Sequence, residues 1–188
     1  MSIRIIAGRC RGRSLRTPRG DALRPTPGVV RERLFNWLAA EISGAVVLDL
    51  FAGSGALGLE AWSRGAARVD FVEKSPQHRQ ILSENLTLCG LDPRTRLIGH
   101  DALQTLSTSL PCYDLILADP PFAQGWPQRL LSVLLAQPGP FRPGAWLYLE
   151  ASATEIWSAA DLPAKWQIHR QGHCGDSHYL LLQQRSSA

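Results

Sequence analysis

The chain has almost no lysine: of its twenty basic residues only Lys74 and Lys165 are not arginine. It has no apolar run near the roughly 18 residues of a membrane-spanning helix, so a membrane protein is not expected. Residues 1–6 carry no apolar stretch of signal-peptide length, so secretion is not expected and a cytoplasmic location is. The four cysteines, at 10, 89, 112 and 174, form no CxxC pair. That argues against a disulfide framework and against a four-cysteine zinc site. Internal repeats and low-complexity segments are missing too. What is present is ample: 45% of the 188 residues are hydrophobic and 19% charged, enough to close a core and exclude disorder. The length suits one domain with a small appendage.

Charge is unevenly spread. Residues 1–33 hold nine arginines against two acids, a net of +7, whereas the remaining 155 residues carry a net of -3. A cationic segment on a mildly acidic body points to a polyanionic partner. The arginine fork suits phosphate, so nucleic acid is the expected class. The chain divides on this reading into a basic arm, 1–26, and a body, 27–188, whose functions should be separable.

Residues 3–15 read as a small strand or hairpin. Thr26-Pro27 reads as a helix start, with Thr26 as N-cap and Pro27 at the first helical position. Val30, Leu34, Trp37 and Leu38 follow at helical spacing, which would bury one face and present Arg31 and Arg33 from another, with Gly44 as the stop. Strands are then predicted at 46–50, 68–73, 95–99, 113–119 and 145–150, and helices at 56–64, 76–89 and 126–136. Near-continuous apolar strands alternating with helices predict an α/β fold with a parallel sheet covered on both faces. Segments 166–170 and 179–183 look like a closing antiparallel pair.

Three motifs carry chemistry. Asp49-Leu50-Phe51-Ala52-Gly53-Ser54-Gly55 follows a strand and opens a helix, and Gly53, Gly55 and Gly58 fit G-x-G-x-x-G. Glycines there permit a tight turn and close ligand approach. An acid such as Asp49 would repel a pyrophosphate but suits a ligand bearing ammonium and sulfonium groups. Glu73 closes the next strand 24 positions later, where an acid can accept from ribose hydroxyls. Asp101, with Ala102 after it, can accept from an adenine amino group or cap a helix. Asp119-Pro120-Pro121-Phe122 ends the fourth strand, placing an acid and an aromatic at the sheet's carboxyl edge. A carboxylate and a carbonyl there can take both protons of a planar NH2 group, and the ring can stack on its base.

D-x-F-A-G-S-G-x-L-G-x-E together with D-P-P-F resembles the S-adenosylmethionine-dependent methyltransferases that modify exocyclic amino groups of bases. R-I-I-A-G-R-x-R-G-R, L-R-P-T and R-E-x-L-F-N-W-L narrow the resemblance to the bacterial 16S rRNA guanine-N2 methyltransferase family, acting on guanine 966, over residues 3–182. The resemblance implies a Rossmann-like methyltransferase fold, a seven-stranded mostly parallel sheet with an antiparallel last strand. It implies S-adenosylmethionine held by Asp49, Phe51, Ala52, Gly53, Ser54, Gly55, Glu73, Lys74, Asp101 and Ala102, with the catalytic centre at Asp119, Pro120, Pro121 and Phe122. RNA contacts are assigned to Arg4, Arg9, Arg11, Arg13, Arg16, Arg24, Thr26 and Arg31. The implied partner is 16S rRNA in a small-subunit particle, the implied state a monomer.

His169, His173, Cys174 and His178 lie within ten residues but match no paired zinc spacing, and strand alternation would send them to both faces, so no metal is expected. Three rival readings stay open: a DNA adenine-N6 methyltransferase, an NAD-type oxidoreductase using the Gly-rich loop, and a non-catalytic RNA-binding protein.

Overall fold

The seven-stranded sheet runs β5-β4-β3-β6-β7-β9-β8. Its strands are β3 (Val46–Asp49), β4 (Arg68–Val72), β5 (Leu97–Ile98), β6 (Tyr113–Ala118), β7 (Phe141–Ser152), β8 (Trp166–Cys174) and β9 (Ser177–Gln184). The computed structural model describes residues 3–18, 26–91, 95–121, 125–135, 139–155, 158 and 161–185. β5, β4, β3, β6 and β7 pair in parallel, whereas β9 is antiparallel to both β7 and β8. The closing hairpin extends further than the sequence predicts, because Ser177 pairs with both Ser152 and Cys174.

Alternation along the strands loads both faces. Leu115 and Leu117 of β6 join one apolar cluster, Ile116 and Ala118 the other. Helices α4 (Ala102–Leu106) and α5 (Trp126–Leu135) cover the second face. The first is covered by α1 (Gly28–Trp37), α2 (Ala56–Ser63) and α3 (Pro76–Leu88). From β3 the chain proceeds outward to β4 and β5, then crosses back to β6. In such sheets the crevice at the reversal point, beyond the strands' carboxyl ends, is where ligands bind. Asp49 ends β3 and Asp119 follows β6, one on each side of that reversal.

Both ends of α1 differ from expectation, whereas the ends of α2 and α3 agree to within one residue. α3 starts as predicted, with Pro76 after a Ser75 cap whose hydroxyl accepts from His78 N. α1 does not: Pro27 occupies the cap position without a side-chain bond, and Thr26 is turned inward to two carboxyls. Acidic acceptors hold the hydroxyl more strongly than a helix end does. α1 also stops at Trp37, and Gly44 ends the turns that follow rather than the helix.

The predicted N-terminal hairpin forms, β1 (Ile3–Arg4) with β2 (Ser14–Leu15), and it is built into the body. Ile3, Ile5, Cys10 and Leu15 lie in the same buried cluster as α1 and α2. Each buried aliphatic side chain of this kind contributes about 1.5–3 kcal/mol. Buried Glu60 on α2 accepts from Ile6 N (2.8 Å) and Ala7 N (3.1 Å), and Ser63 Oγ receives Cys10 N. The described part of the arm is thus packed against the body through both apolar and hydrogen-bonded contacts.

Candidate functional site

Asp49, 2% exposed, accepts from Gly58 N at 2.9 Å and so braces the start of α2. Gly55 precedes that helix at φ 85°, and a Cβ at Gly58 would come within 2.4 Å of the Phe71 ring, so the first turn of α2 can lie this close to β4 only with glycine. Burial raises the Asp49 carboxyl to about 7; the Gly58 and Phe51 backbone bonds lower it, and the Glu73 charge raises it further.

Glu73 follows β4 and ties two loops together: Oε2 accepts Gly53 N (2.9 Å) and Oε1 accepts Ser75 N (2.8 Å). Two carboxylate oxygens offer about four lone-pair sites, so acceptor capacity remains for hydroxyls. Asp101 caps α4 through Leu103 N at 3.0 Å, one of the two roles open to it. A cleft gathers Phe51, Gly53, Glu73, Lys74, Asp101, Ala102, Asp119 and Pro121 with Trp126, which meets the Phe51 ring edge-on at 5.5 Å. A second brings Asp49, Phe51, Ala52, Gly53, Ser54 and Asp119 together with Thr26 and with Ile3, Thr17 and Pro18 of the arm. The two spaces share Phe51, Gly53 and Asp119.

Beneath Asp119 lies Glu150, which carries no motif in the sequence analysis. Thr26 Oγ1 is 2.9 Å from Asp119 Oδ2 and 2.8 Å from Glu150 Oε1. Glu150, buried on β7, also receives Tyr148 Oη (2.8 Å) and Ser177 Oγ (3.0 Å). Burial pushes the Asp119 carboxyl well above the usual carboxylate range, and the neighbouring Glu150 and Asp49 push it further against the Thr26 bond. Glu150 is raised as well, again by burial first. A signal existed: Glu150 closes an apolar strand run as Asp49, Glu73 and Asp119 do. Pro120 is buried and Pro121 exposed. Phe122 lies outside the described residues.

The arginines fare unequally. Arg4 and Arg11 are exposed. Arg13 donates to Leu88 O, Arg16 pairs with Glu84 across to α3, and Arg9 stacks 3.9 Å over Trp62 while donating to Trp62 O and Ala66 O. Arg31, expected at the RNA surface, is 4% exposed; it donates to Arg4 O and faces Glu60 at 3.8 Å. It anchors the arm and is not presented to a polyanion. Arg33 is exposed but donates to Tyr179 Oη. Arg24 lies outside the described residues. Asn85, also unremarked in the sequence, binds the arm at Arg16 N and O and the Gly-rich loop at Ser54 O.

Residues 3–183 match the model of a family described as conserved hypothetical protein 95. The chain is 38% identical over 184 residues to the ribosomal RNA small subunit methyltransferase D of Escherichia coli (strain K12), covering 98% of this chain and 91% of that protein. It is 36% identical to the protein of the same name from Haemophilus influenzae, covering 96% and 93%. Among solved structures it is similar to a putative methyltransferase, yhhF, from Escherichia coli, at 37% identity and a TM-score of 0.86 over the whole of both chains.

Proposed function

The chain belongs to the conserved hypothetical protein 95 family, and from that premise we propose that it methylates the exocyclic N2 of a guanine, guanine 966, in 16S rRNA of the small ribosomal subunit, with S-adenosylmethionine as donor. The observation that carries the reading is the pair of adjoining spaces that meet at Asp119, Phe51 and Gly53, one lined by Glu73 and Asp101, the other open beside the arm.

The residues present suit that donor. Asp49 is an anion source where an ammonium would sit, Glu73 keeps acceptor sites for ribose hydroxyls, and Asp101 and Ala102 close the far end of the cavity. Two acids flanking the Gly-rich loop are a poor setting for a pyrophosphate, which weighs against the oxidoreductase reading. When bound, S-adenosylmethionine supplies an electrophilic methyl on a sulfonium.

Asp119 and the Pro120 carbonyl would accept from the two N–H bonds of the flipped guanine and aim its nitrogen. Extruding the base costs a few kcal/mol, offset by contacts at the site. The arm is placed to supply them: Ile3, Thr17 and Pro18 line the same space as Asp119, and exposed Arg4 and Arg16 neighbour Ile3 and Thr17 in the chain, while Arg11, Arg13 and Arg24 are assigned from sequence.

The deciding experiment supplies labelled S-adenosylmethionine with small-subunit particles, naked 16S rRNA or duplex DNA, and maps the methylated nucleotide by mass. Methyl on guanine N2 in RNA upholds the reading. Methyl on adenine N6 of DNA, or none on any acceptor despite cofactor binding, overturns it.

A further inference from the structure

Thr26 Oγ1 carries a single hydrogen yet lies within hydrogen-bond distance of two carboxyl oxygens, on Asp119 and Glu150. It can donate to one; toward the other it presents a lone pair. Were both carboxyls ionised, that lone pair would face an anionic oxygen inside the protein. The arrangement is satisfied when the pair holds one proton between its members. Glu150 already receives hydroxyl hydrogens from Tyr148 and Ser177, so it is the better anion. The proton then sits on Asp119 and points at Thr26, whose own hydrogen points at Glu150.

We infer that Glu150 is the proton store of the methyl transfer, acting on the acceptor amine through Thr26 and Asp119, an inference that rests on the amine-methylation reading above. The nitrogen lone pair forms the N–C bond while the S–C bond breaks, its electron pair passing to sulfur. An N–H proton moves to Asp119 Oδ1, the proton on Asp119 Oδ2 moves to Thr26 Oγ1, and the Thr26 hydrogen moves to Glu150 Oε1. The methylated amine leaves neutral, both carboxyls are protonated, and the pair returns one proton to solvent before the next turnover. Glu150 never touches the base, so it is a positioning residue for the proton on Asp119.

The other groups around this pair are Asp49 on β3, Tyr148 on β7, and Tyr179 on β9, whose hydroxyl receives Arg33 of α1. Burial and the second carboxyl both favour the protonated form, so the charge arrangement agrees with the hydrogen count.

The test has two independent readouts. In the free protein, a carbon-13 NMR titration of the aspartate carboxyls follows Asp119. Its midpoint lies well above the ordinary range in the wild type and falls by about one pH unit or more in Glu150→Gln, because a neighbouring negative charge is gone. In single turnover with saturating S-adenosylmethionine, Glu150→Gln and Thr26→Val are each slowed about 10²-fold, the low end of general acid–base contributions, while Thr26→Ser restores the rate. Thr26→Val breaks the same connection without touching a carboxyl, should Glu150→Gln fail to fold. An unmoved Asp119 midpoint, or wild-type turnover in the Val variant, overturns the inference and leaves the functional reading standing. A wild-type protein that transfers no methyl to small-subunit RNA overturns that reading instead, and the titration still judges the coupling.

Discussion

The exposed arginines of the arm and the buried acids of the sheet edge are charges of opposite sign in opposite settings. On the arm Arg4 and Arg11 are exposed to water, and the ion pair of Arg16 with Glu84 is of the kind worth at most about 1 kcal/mol. At the edge, Asp49 and Glu150 are buried, Asp119 is half-buried, and Asp119 feels the other two. Charges of the first kind should act additively and be lost to salt, those of the second through specific protonation states. Arg31 crosses the line: it comes from the basic segment by sequence and is buried like the acids.

The comparison is broken most readily at Asp119. Asp119→Ala should lower single-turnover methyl transfer by about 10²–10³, the usual cost of one preorganised electrostatic contact. Asp119→Asn, which keeps an acceptor oxygen, should retain more activity than Ala. Cofactor affinity by calorimetry should change little in either, and full activity in the Ala variant would sink the motif as the catalytic centre.

Arg31 sharpens the contrast in stability rather than in binding. Arg31→Ala should destabilise the fold by about 3 kcal/mol, the low end for a broken buried pair, since Glu60 keeps Arg64 and two backbone N–H groups. Denaturant unfolding measures it, and a change below about 0.5 kcal/mol would place Arg31 with the surface arginines after all.

Asp49 predicts a pH dependence whose sign follows from its environment. Burial raises its carboxyl to about 7 in the folded protein, so the anion that the proposed contact with the cofactor's ammonium requires forms as pH rises through that value. Affinity for S-adenosylmethionine should therefore strengthen about tenfold between pH 6 and pH 8, and Asp49→Asn should flatten the curve. The same shift means that, in the free protein, the stability contributed by a neutral Asp49 is lost as pH rises from its unfolded value toward about 7.

The smallest effect belongs to the surface. Arg11→Ala should weaken RNA binding only a few-fold and reduce the slope of log K against log salt by about 0.7–0.9, without moving the melting temperature. A loss as large as that of Asp119→Ala would dissolve the distinction between the two regions.

The residues of both spaces at the sheet edge were legible in the sequence wherever the cue was local. Glycines at 53, 55 and 58, and acids closing apolar runs at 49, 73 and 119, are read from neighbours a few positions away. The strand–helix alternation that makes the sheet parallel is equally local. Thr26 reads locally as a helix cap and Arg31 as a surface cation, because a threonine before proline and an arginine on a helix carry those meanings. What overrode them lies 93 and 124 positions away for Thr26, in Asp119 and Glu150, and in Glu60 of α2 for Arg31.

The sequence by itself determined the order of elements, the cationic bias of the first 33 residues and the acids delivered to one edge of the sheet. Only the tertiary structure decided which charges are buried, which two acids share a hydroxyl, and that the arm is a wall of the site. The physical reason is that periodicity fixes which face of an element a side chain occupies, whereas solvation and pairing depend on whatever distant segment packs against that face. A carboxyl's proton and an arginine's partner are both settled there.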